Sequence, residues 1–184
     1  MIAKGLKDQF SRTLRDWREW QSEARSLWRA ALILHQEAQR DWDNRKRNRV
    51  AIAEGTFDFP PKLEGAMTML NGLAIENLVK ALWVQKTTEP VEEKGCLRKK
   101  LKTHKIIPLL EEVGFTLSTE DKELLLRLES YVTWAGKYPM PEFYGQLEPQ
   151  ALPNRTTMQP GWVSFIIDGK RVCEFIKRIE QALI

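Results

Sequence analysis

The sequence contains few of the residues that form disulfide frameworks and metal sites. Its 184 residues include two cysteines and two histidines, and no C-x-x-C pair. Two cysteines are too few for a disulfide framework, and these four residues lack the spacing of a zinc site. The Gly-rich phosphate loops, the G-x-S-x-G elbow and the H-E-x-x-H motif are absent as well, so no motif assigns a reaction. We therefore expect neither a metal nor another cofactor.

Long apolar runs are absent too. No run approaches the roughly 18 residues that a membrane-spanning helix needs, and residues 1–24 lack the apolar core of a signal peptide. With 42% hydrophobic and 29% charged residues, the chain has an ordinary globular composition. We expect a soluble cytoplasmic protein without a membrane partner.

Positive charge is concentrated in two segments. Residues 1–50 carry twelve Lys and Arg residues against seven Asp and Glu, so residues 51–184 sum to −1 in a chain of net charge +4. A second basic island, residues 94–105, contains no acidic residue. Such clusters suit a phosphate-bearing partner, because each neutralised phosphate releases condensed counterions. Solvated helix faces account for them about equally well.

Helical periodicity dominates the N-terminal segment. After Gly5, residues up to 48 include no proline or glycine, and their apolar residues recur at steps of three, four or seven. This spacing predicts one long amphipathic helix, or two in near-continuation. Its four tryptophans lie at helical spacing, which favours core or dimer-interface anchors over a base-stacking surface. They are Trp17, Trp20, Trp28 and Trp42.

Apolar residues at helical spacing predict four more helices, and no segment has the pattern of a paired strand. The predicted fold class is all-α, an antiparallel helical bundle of about five helices with a long N-terminal helix. In the second predicted helix, Glu76 and Lys80 stand at i, i+4 spacing, and a central position would bury this pair. In the third, Thr103 and Pro108 predict an irregularity. The four predicted segments are 63–86, 96–113, 118–136 and 161–184.

The charge and proline patterns suggest two regions. Residues 1–50 are expected to form a long basic amphipathic helix or arm, and residues 60–184 a helical bundle with an irregular loop at 137–160. That loop holds five of the nine prolines. Loops of this length in compact domains are usually functional, mobile or in contact with a partner.

Three short motifs resemble those of the HEPN family of helical domains. GLAIENLVKA at 72–81, HKI at 104–106 and WAGKYP at 134–139 are similar to that family's A-x-E-x-x-x-K-A helix, H-x-L/I helix start and W-x-G-R-Y-P helix end. The similarity covers about residues 63–140. It implies a bundle of four or five helices, frequent homodimers and association with nucleotides or RNA. Many members are metal-independent ribonucleases of toxin–antitoxin or phage-defence systems, with a catalytic R-x4-6-H motif.

The resemblance implies Arg98 and His104 as the catalytic pair, because five residues separate them. Arg29 and His35 have the same spacing. On a straight helix, six positions place two side chains about 120° apart, so convergence needs a helix break or a second subunit. Only the Arg98–His104 stretch has a predicted irregularity. Cleavage of RNA without metal needs a base and a cation, roles that His and Arg can fill. The alternative for His104 is a hydrogen-bonded, half-buried residue.

Two functions remain open at this level. The first is a HEPN-like protein, dimeric and associated with RNA or nucleotides, which would be a metal-independent endoribonuclease if it is an enzyme. The second is a non-catalytic interaction or adapter protein that binds a partner protein or a second copy through the Trp-rich residues 1–50. For the first function, Lys137 stands where the family motif has Arg. The candidate phosphate-binding residues are Lys99, Lys100, Lys102, Lys105, Lys137 and Tyr138.

Overall fold

The structure is a computed structural model, and it confirms the all-α fold class. It describes residues 2–58, 60, 62–87, 97–137, 148, 150–151, 157–158 and 165–184. Within these ranges the α-helices are α1 (Ile2–Arg15), α2 (Trp17–Arg47), α3 (Arg49–Ala53), α4 (Glu64–Thr87), α5 (Ile107–Glu112), α6 (Thr119–Ser130) and α7 (Phe165–Ala182). A 3-10 helix (Lys99–Lys102), a π turn (Tyr131–Ala135) and two short strands, β1 (Gln150–Ala151) and β2 (Thr157–Met158), complete the elements.

The predicted N-terminal helix is two helices in near-continuation. The break falls at Asp16, whose backbone is extended. The side-chain carboxylate of Asp16 caps α2 by accepting a hydrogen bond from the backbone N–H of Arg18. A capping carboxylate satisfies one of the unpaired N–H groups at a helix start. Trp20 supports the corner, because its indole N–H donates to the carbonyl of Leu14, 3.1 Å away.

The most extensive interface joins α2 and α4. The buried residues of α2 are Ala24, Ala31 and Ala38, which are seven apart. On α4, Ala74 and Ala81 are buried and are also seven apart. Small side chains at these positions allow two helix backbones to approach closely, since the interaxial distance depends on the residues at the contact. The N-terminal segment therefore packs along the bundle from Trp17 onward.

Helix α4 is central, as its apolar composition predicts. Thirteen of its twenty-four residues are buried. Gly72 lies against the end of α6 and the π turn, where a Cβ atom would stand 2.6 Å from Cγ2 of Val132 and 3.3 Å from the carbonyl oxygen of Leu128. The predicted Glu76–Lys80 pair is indeed buried. The sequence thus placed both the helix and its charged pair correctly.

The segment 96–113 differs from the helical stripe predicted for it. The described part, from residue 97, forms a 3-10 helix over Lys99–Lys102, then an irregular connection, then α5. Pro108 explains the late start of α5, because proline fits the first turn of a helix and is disfavoured in its interior. The predicted irregularity is confirmed, and it places His104 outside any helix.

The structure refines the predictions for the N-terminal tryptophans and for the loop at 137–160. Trp17, Trp20 and Trp28 pack against the core, whereas Trp42 is 52% exposed. Within the predicted loop 137–160, the described residues include an antiparallel pair of two-residue strands. Residues 161–164, at the start of the predicted last helix 161–184, lie outside the described residues.

Helices α6 and α7 are joined by a bidentate ion pair. The two terminal nitrogens of Arg178 each donate to one oxygen of Asp121 at 2.9 Å. Asp121 also completes a capping box with Ser118, the predicted start of this helix. The guanidinium of Arg178 lies 5.5 Å and 5.3 Å from the ring centroids of Phe115 and Phe175.

In the described part of the chain, no helix has both the length and the apolar character required to cross a bilayer.

Gly72→Ala tests the close approach of α4 and the π turn. The added methyl group collides with Val132, so we expect the free energy of unfolding to fall by about 1–3 kcal/mol. Gly169→Ala is the matched control, because nothing lies within 4 Å of its Cβ position on α7. It should gain about 1 kcal/mol from helix propensity. Urea denaturation measures the free energy of unfolding of both variants. Equal losses in Gly72→Ala and Gly169→Ala would contradict the close approach of α4 and the π turn.

Asp121→Asn tests the α6–α7 ion pair through pH. Burial would raise the pKa of Asp121, but hydrogen bonds from Arg178 and from the backbone of Ser118 hold it below its ordinary value. Such a carboxyl stabilises the fold above its unfolded pKa of about 3.9, and this contribution is lost as pH falls through the folded pKa. At neutral pH the variant should lose about 1–3 kcal/mol of unfolding free energy. Denaturation across pH should show this difference vanish in acid; a constant difference would refute the account.

Candidate histidine site

A buried ion pair on α4 forms the base of the site. Lys80 Nζ donates to Glu76 Oε1 at 2.5 Å, and the two side chains are 9% and 7% exposed. The i, i+4 spacing brings them together on one face of the helix. The ring of Trp20 on α2 lies 5.9 Å from Lys80 Nζ. Buried charges are tolerated only when they are paired and hydrogen-bonded, so the second oxygen of Glu76 also needs a partner.

His104 supplies that partner from a different part of the chain. Its Nδ1 lies 2.9 Å from Glu76 Oε2. Because an ionised carboxylate only accepts hydrogen bonds, we assign the hydrogen of this contact to Nδ1, which then donates it to Glu76. The ring nitrogen Nε2 is then an acceptor that points away from Glu76. Because the side chain is 43% exposed and Nε2 has no partner among the described residues, it can reach a ligand.

The irregular connection positions the histidine. Leu101, in the 3-10 helix, is fully buried and fixes that helix on the core. Thr103 follows, and its hydroxyl accepts a hydrogen bond from the backbone N–H of Lys105 at 3.0 Å. This local turn spans His104 and replaces the helical bonds that Pro108 interrupts. The helix break that a histidine site required is therefore present.

A second carboxyl lies close to the histidine. Burial raises the pKa of Glu129 on α6, and the negative charge of Glu76 raises it further, while the charges of Lys105 and His104 oppose this rise. Glu76, Lys80, His104 and Glu129 thus form one electrostatic group, which we call the histidine cluster. A buried carboxyl with a raised pKa beside other charged groups is found in functional sites and in structural ion-pair networks.

The basic residues before and after His104 are largely exposed. Lys99, Lys100, Lys102 and Lys105 define what we call the lysine surface, and each of them is exposed. Lys100 forms a salt bridge with Glu112 at 2.9 Å, which lowers the pKa of that carboxyl. Within the described residues, Lys99 and Lys102 form no ion pair. The lysine surface therefore keeps positive charge available beside His104.

The described hydrogen bonds and ion pairs do not join Arg98 or Lys137 to the histidine, and one predicted site residue lies outside the described residues. Arg98 is half-buried and precedes the 3-10 helix, and in the described structure it makes no hydrogen bond with His104. Lys137 is exposed next to Gly136, which packs against Met69. Met69 stands seven residues before Glu76, or roughly 10 Å along the helix axis. Tyr138 lies outside the described residues.

The second R-x5-H pair does not converge within one chain. Helix α2 runs without a break through Arg29 and His35. Arg29 lines a groove on one face, whereas His35 lines a separate cavity of about 350 Å³ beside Trp28. This agrees with the divergence expected for six positions on a straight helix.

The sequence analysis did not predict that two members of the histidine cluster, Glu76 and Glu129, interact with His104. Glu76 was visible only as the partner of Lys80, and Glu129 was not singled out. The available signal was a Glu and a Lys four residues apart inside an otherwise apolar helix, because a buried charge pair leaves an acceptor that must be satisfied. Among the described residues, no group of three or more His, Cys, Asp or Glu side chains is arranged to hold a metal ion.

In comparisons with protein-family models, curated proteins and solved structures, this chain matches none of them.

Glu76→Gln tests the ion pair at the base of the site. The variant keeps the size of the side chain but leaves Lys80 buried without a counter-charge, so the free energy of unfolding should fall by about 3–5 kcal/mol. Adding Lys80→Met should restore much of the loss, since replacing a whole buried pair is often nearly neutral. Urea denaturation compares the variants, and a double variant no more stable than Glu76→Gln would contradict this role.

Proposed function

We propose that this protein binds RNA on the lysine surface and cleaves it without metal, with His104 as the general base. One contact supports this most strongly: His104 Nδ1 lies 2.9 Å from Glu76 Oε2, and the half-exposed side chain of His104 stands beside exposed lysines. An orienting carboxylate behind a histidine is the arrangement that makes its other nitrogen a directed base. The resemblance to HEPN ribonucleases points to the same residue.

The reaction follows from the chemistry of RNA. His104 Nε2 takes the proton of a ribose 2′-hydroxyl, and the 2′-oxygen forms a bond to the adjacent phosphorus. The bond from phosphorus to the 5′-oxygen breaks, and the electron pair leaves with that oxygen. Water protonates the oxygen, and the hydroxide that remains takes the proton back from His104. The products are a 2′,3′-cyclic phosphate and a 5′-hydroxyl. Positive charge from Lys102 and Lys105 would stabilise the extra negative charge of the phosphorane.

Glu76 acts through the histidine. When His104 accepts the proton, its ring becomes positively charged next to the ionised carboxylate, which stabilises this form. Lys80 keeps that carboxylate in place because it holds the other oxygen. Glu76 and Lys80 are therefore positioning residues, and His104 is the residue that touches the reacting atoms.

A second function, in a different class, rests on the N-terminal helices. Leu6 and Phe10 on α1 are 62% and 46% exposed, and Trp42 on α2 is exposed as well. Uncovered apolar side chains of this kind mark interaction surfaces when they are contiguous. The alternative proposal is an adapter that uses exposed apolar side chains of these N-terminal helices to bind a partner protein or a second copy. A homodimer is compatible with both proposals.

His104→Gln tests the catalytic proposal, and His35→Gln, the only other histidine in the chain, is the matched control. Loss of a general base should slow cleavage of a labelled single-stranded RNA by about 10²- to 10⁴-fold, with binding retained. The control should cleave like the wild type. Gel electrophoresis measures cleavage, and fluorescence anisotropy at low salt measures binding.

The same assays define the contrary outcomes. Equal cleavage by wild type and His104→Gln would exclude His104 as the base. A 2′-deoxy strand should bind without being cleaved, because it lacks the attacking hydroxyl. A wild-type protein that neither binds nor cleaves RNA at low salt would overturn the proposal and leave the adapter function.

A further inference from the structure

A groove on α2 lies apart from the histidine cluster in its residues and its composition. It has a volume of about 490 Å³ and is lined by side chains of one helix, most of them cationic or able to form hydrogen bonds. We call it the arginine groove. Its lining residues are Trp17, Arg18, Gln21, Ser22, Arg25, Ser26 and Arg29.

The three arginines share one face of the helix. Because α2 is continuous from Trp17 to Arg47, the steps of seven and four residues keep Arg18, Arg25 and Arg29 within about 40° of one another. Along the axis they are spaced by roughly 10 Å and 6 Å. The positive charge therefore forms a line parallel to the helix, which suits an extended chain of anions better than a single ion.

Acidic neighbours neutralise this line only in part. Arg25 Nε donates to Glu180 at 2.8 Å, which ties the middle of the groove to α7. Arg18 lies 3.9 Å from Asp16, and both side chains are well exposed, so this pair is weak. Arg29 is exposed and forms no ion pair with any described residue. Two of the three guanidinium groups are thus available to a ligand.

The neighbouring groups prepare the arginines for phosphate. The guanidinium of Arg18 stacks over Trp17 at 4.7 Å from the ring centroid, which restricts its motion before a ligand arrives. Ser26 donates to the backbone carbonyl of Ser22, and the Ser22 hydroxyl is available in the described structure. Guanidinium groups bind phosphate through paired hydrogen bonds, and hydroxyl groups are common additional donors to phosphate oxygens.

We propose that the arginine groove is a second RNA-binding tract, which holds the sugar–phosphate backbone of a single strand through Arg18 and Arg29. The inference rests on the proposed RNA function and adds a surface that the histidine cluster does not need for chemistry. The groove has one aromatic side chain and no aliphatic lining residue, which favours a polyanion over insertion into a lipid surface. Its linear spacing of charge favours a nucleic acid strand over a compact acidic ligand.

The test measures how binding of an uncleavable RNA depends on salt. The probe is a fluorescein-labelled 2′-O-methyl oligouridine, which lacks the attacking hydroxyl. The double variant Arg18→Gln, Arg29→Gln should bind roughly tenfold more weakly at low salt, and the slope of log K against log salt should fall by about 1.4, since each single-strand phosphate contact contributes about 0.7. Lys170→Gln, Lys177→Gln removes the same charge from the exposed face of α7 and should leave the slope unchanged.

A second readout separates this tract from the histidine cluster. A dinucleotide has one internucleotide phosphate, which must lie at His104 to be cleaved, so the arginine double variant should cleave it at the wild-type rate. An unchanged salt slope, or an equal decrease in the α7 control, would overturn the tract while leaving the RNA function standing. Loss of dinucleotide cleavage in the arginine variant would also overturn it.

Two outcomes for the wild type would change the conclusion further. If the wild type binds anionic phosphatidylglycerol vesicles through these arginines and does not bind the RNA, the groove is a lipid site. Absence of all RNA binding and cleavage in the wild type would instead remove the proposed function itself.

Discussion

The buried pair of Glu76 and Lys80 is the constraint on which the site depends. Two charges on the inner face of a central helix cost free energy unless each is fully bonded. Glu76 gives one carboxylate oxygen to Lys80 and the other to His104. Because the buried carboxylate of Glu76 needs a second hydrogen bond, it holds His104, a residue of the irregular connection, against the core of the bundle. The same bond that stabilises the buried carboxylate also orients the histidine.

Close packing around α4 makes this arrangement rigid. The alanines seven apart on α2 and Gly72 on α4 let neighbouring helices approach, so that α4 is covered on most sides. His104, by contrast, lies where the helical bonds stop, and its outer nitrogen remains accessible. In the proposed reaction, the carboxylate behind the base is already in place, and pre-organised groups need little rearrangement in the transition state.

Sequence patterns predicted the features that depend on residues close together in the chain. The apolar period gave α4, Ser118 gave the start of α6, and the i, i+4 spacing gave the Glu76–Lys80 pair. The bond between Glu76 and His104 joins residues 28 positions apart, and no local pattern reports on it. Periodicity also placed Trp42 on the apolar stripe as a core or dimer-interface anchor, but it does not distinguish the two, and in the structure Trp42 is 52% exposed.

The most direct test of the central claim is the tautomer of His104, observed by long-range ¹H–¹⁵N NMR on the full chain with His35→Gln to assign the signal. The account predicts that the ring in its neutral form carries its hydrogen on Nδ1 and not on Nε2, because the carboxylate of Glu76 accepts that hydrogen. A ring protonated on Nε2, or one that exchanges freely between the two tautomers, would contradict it.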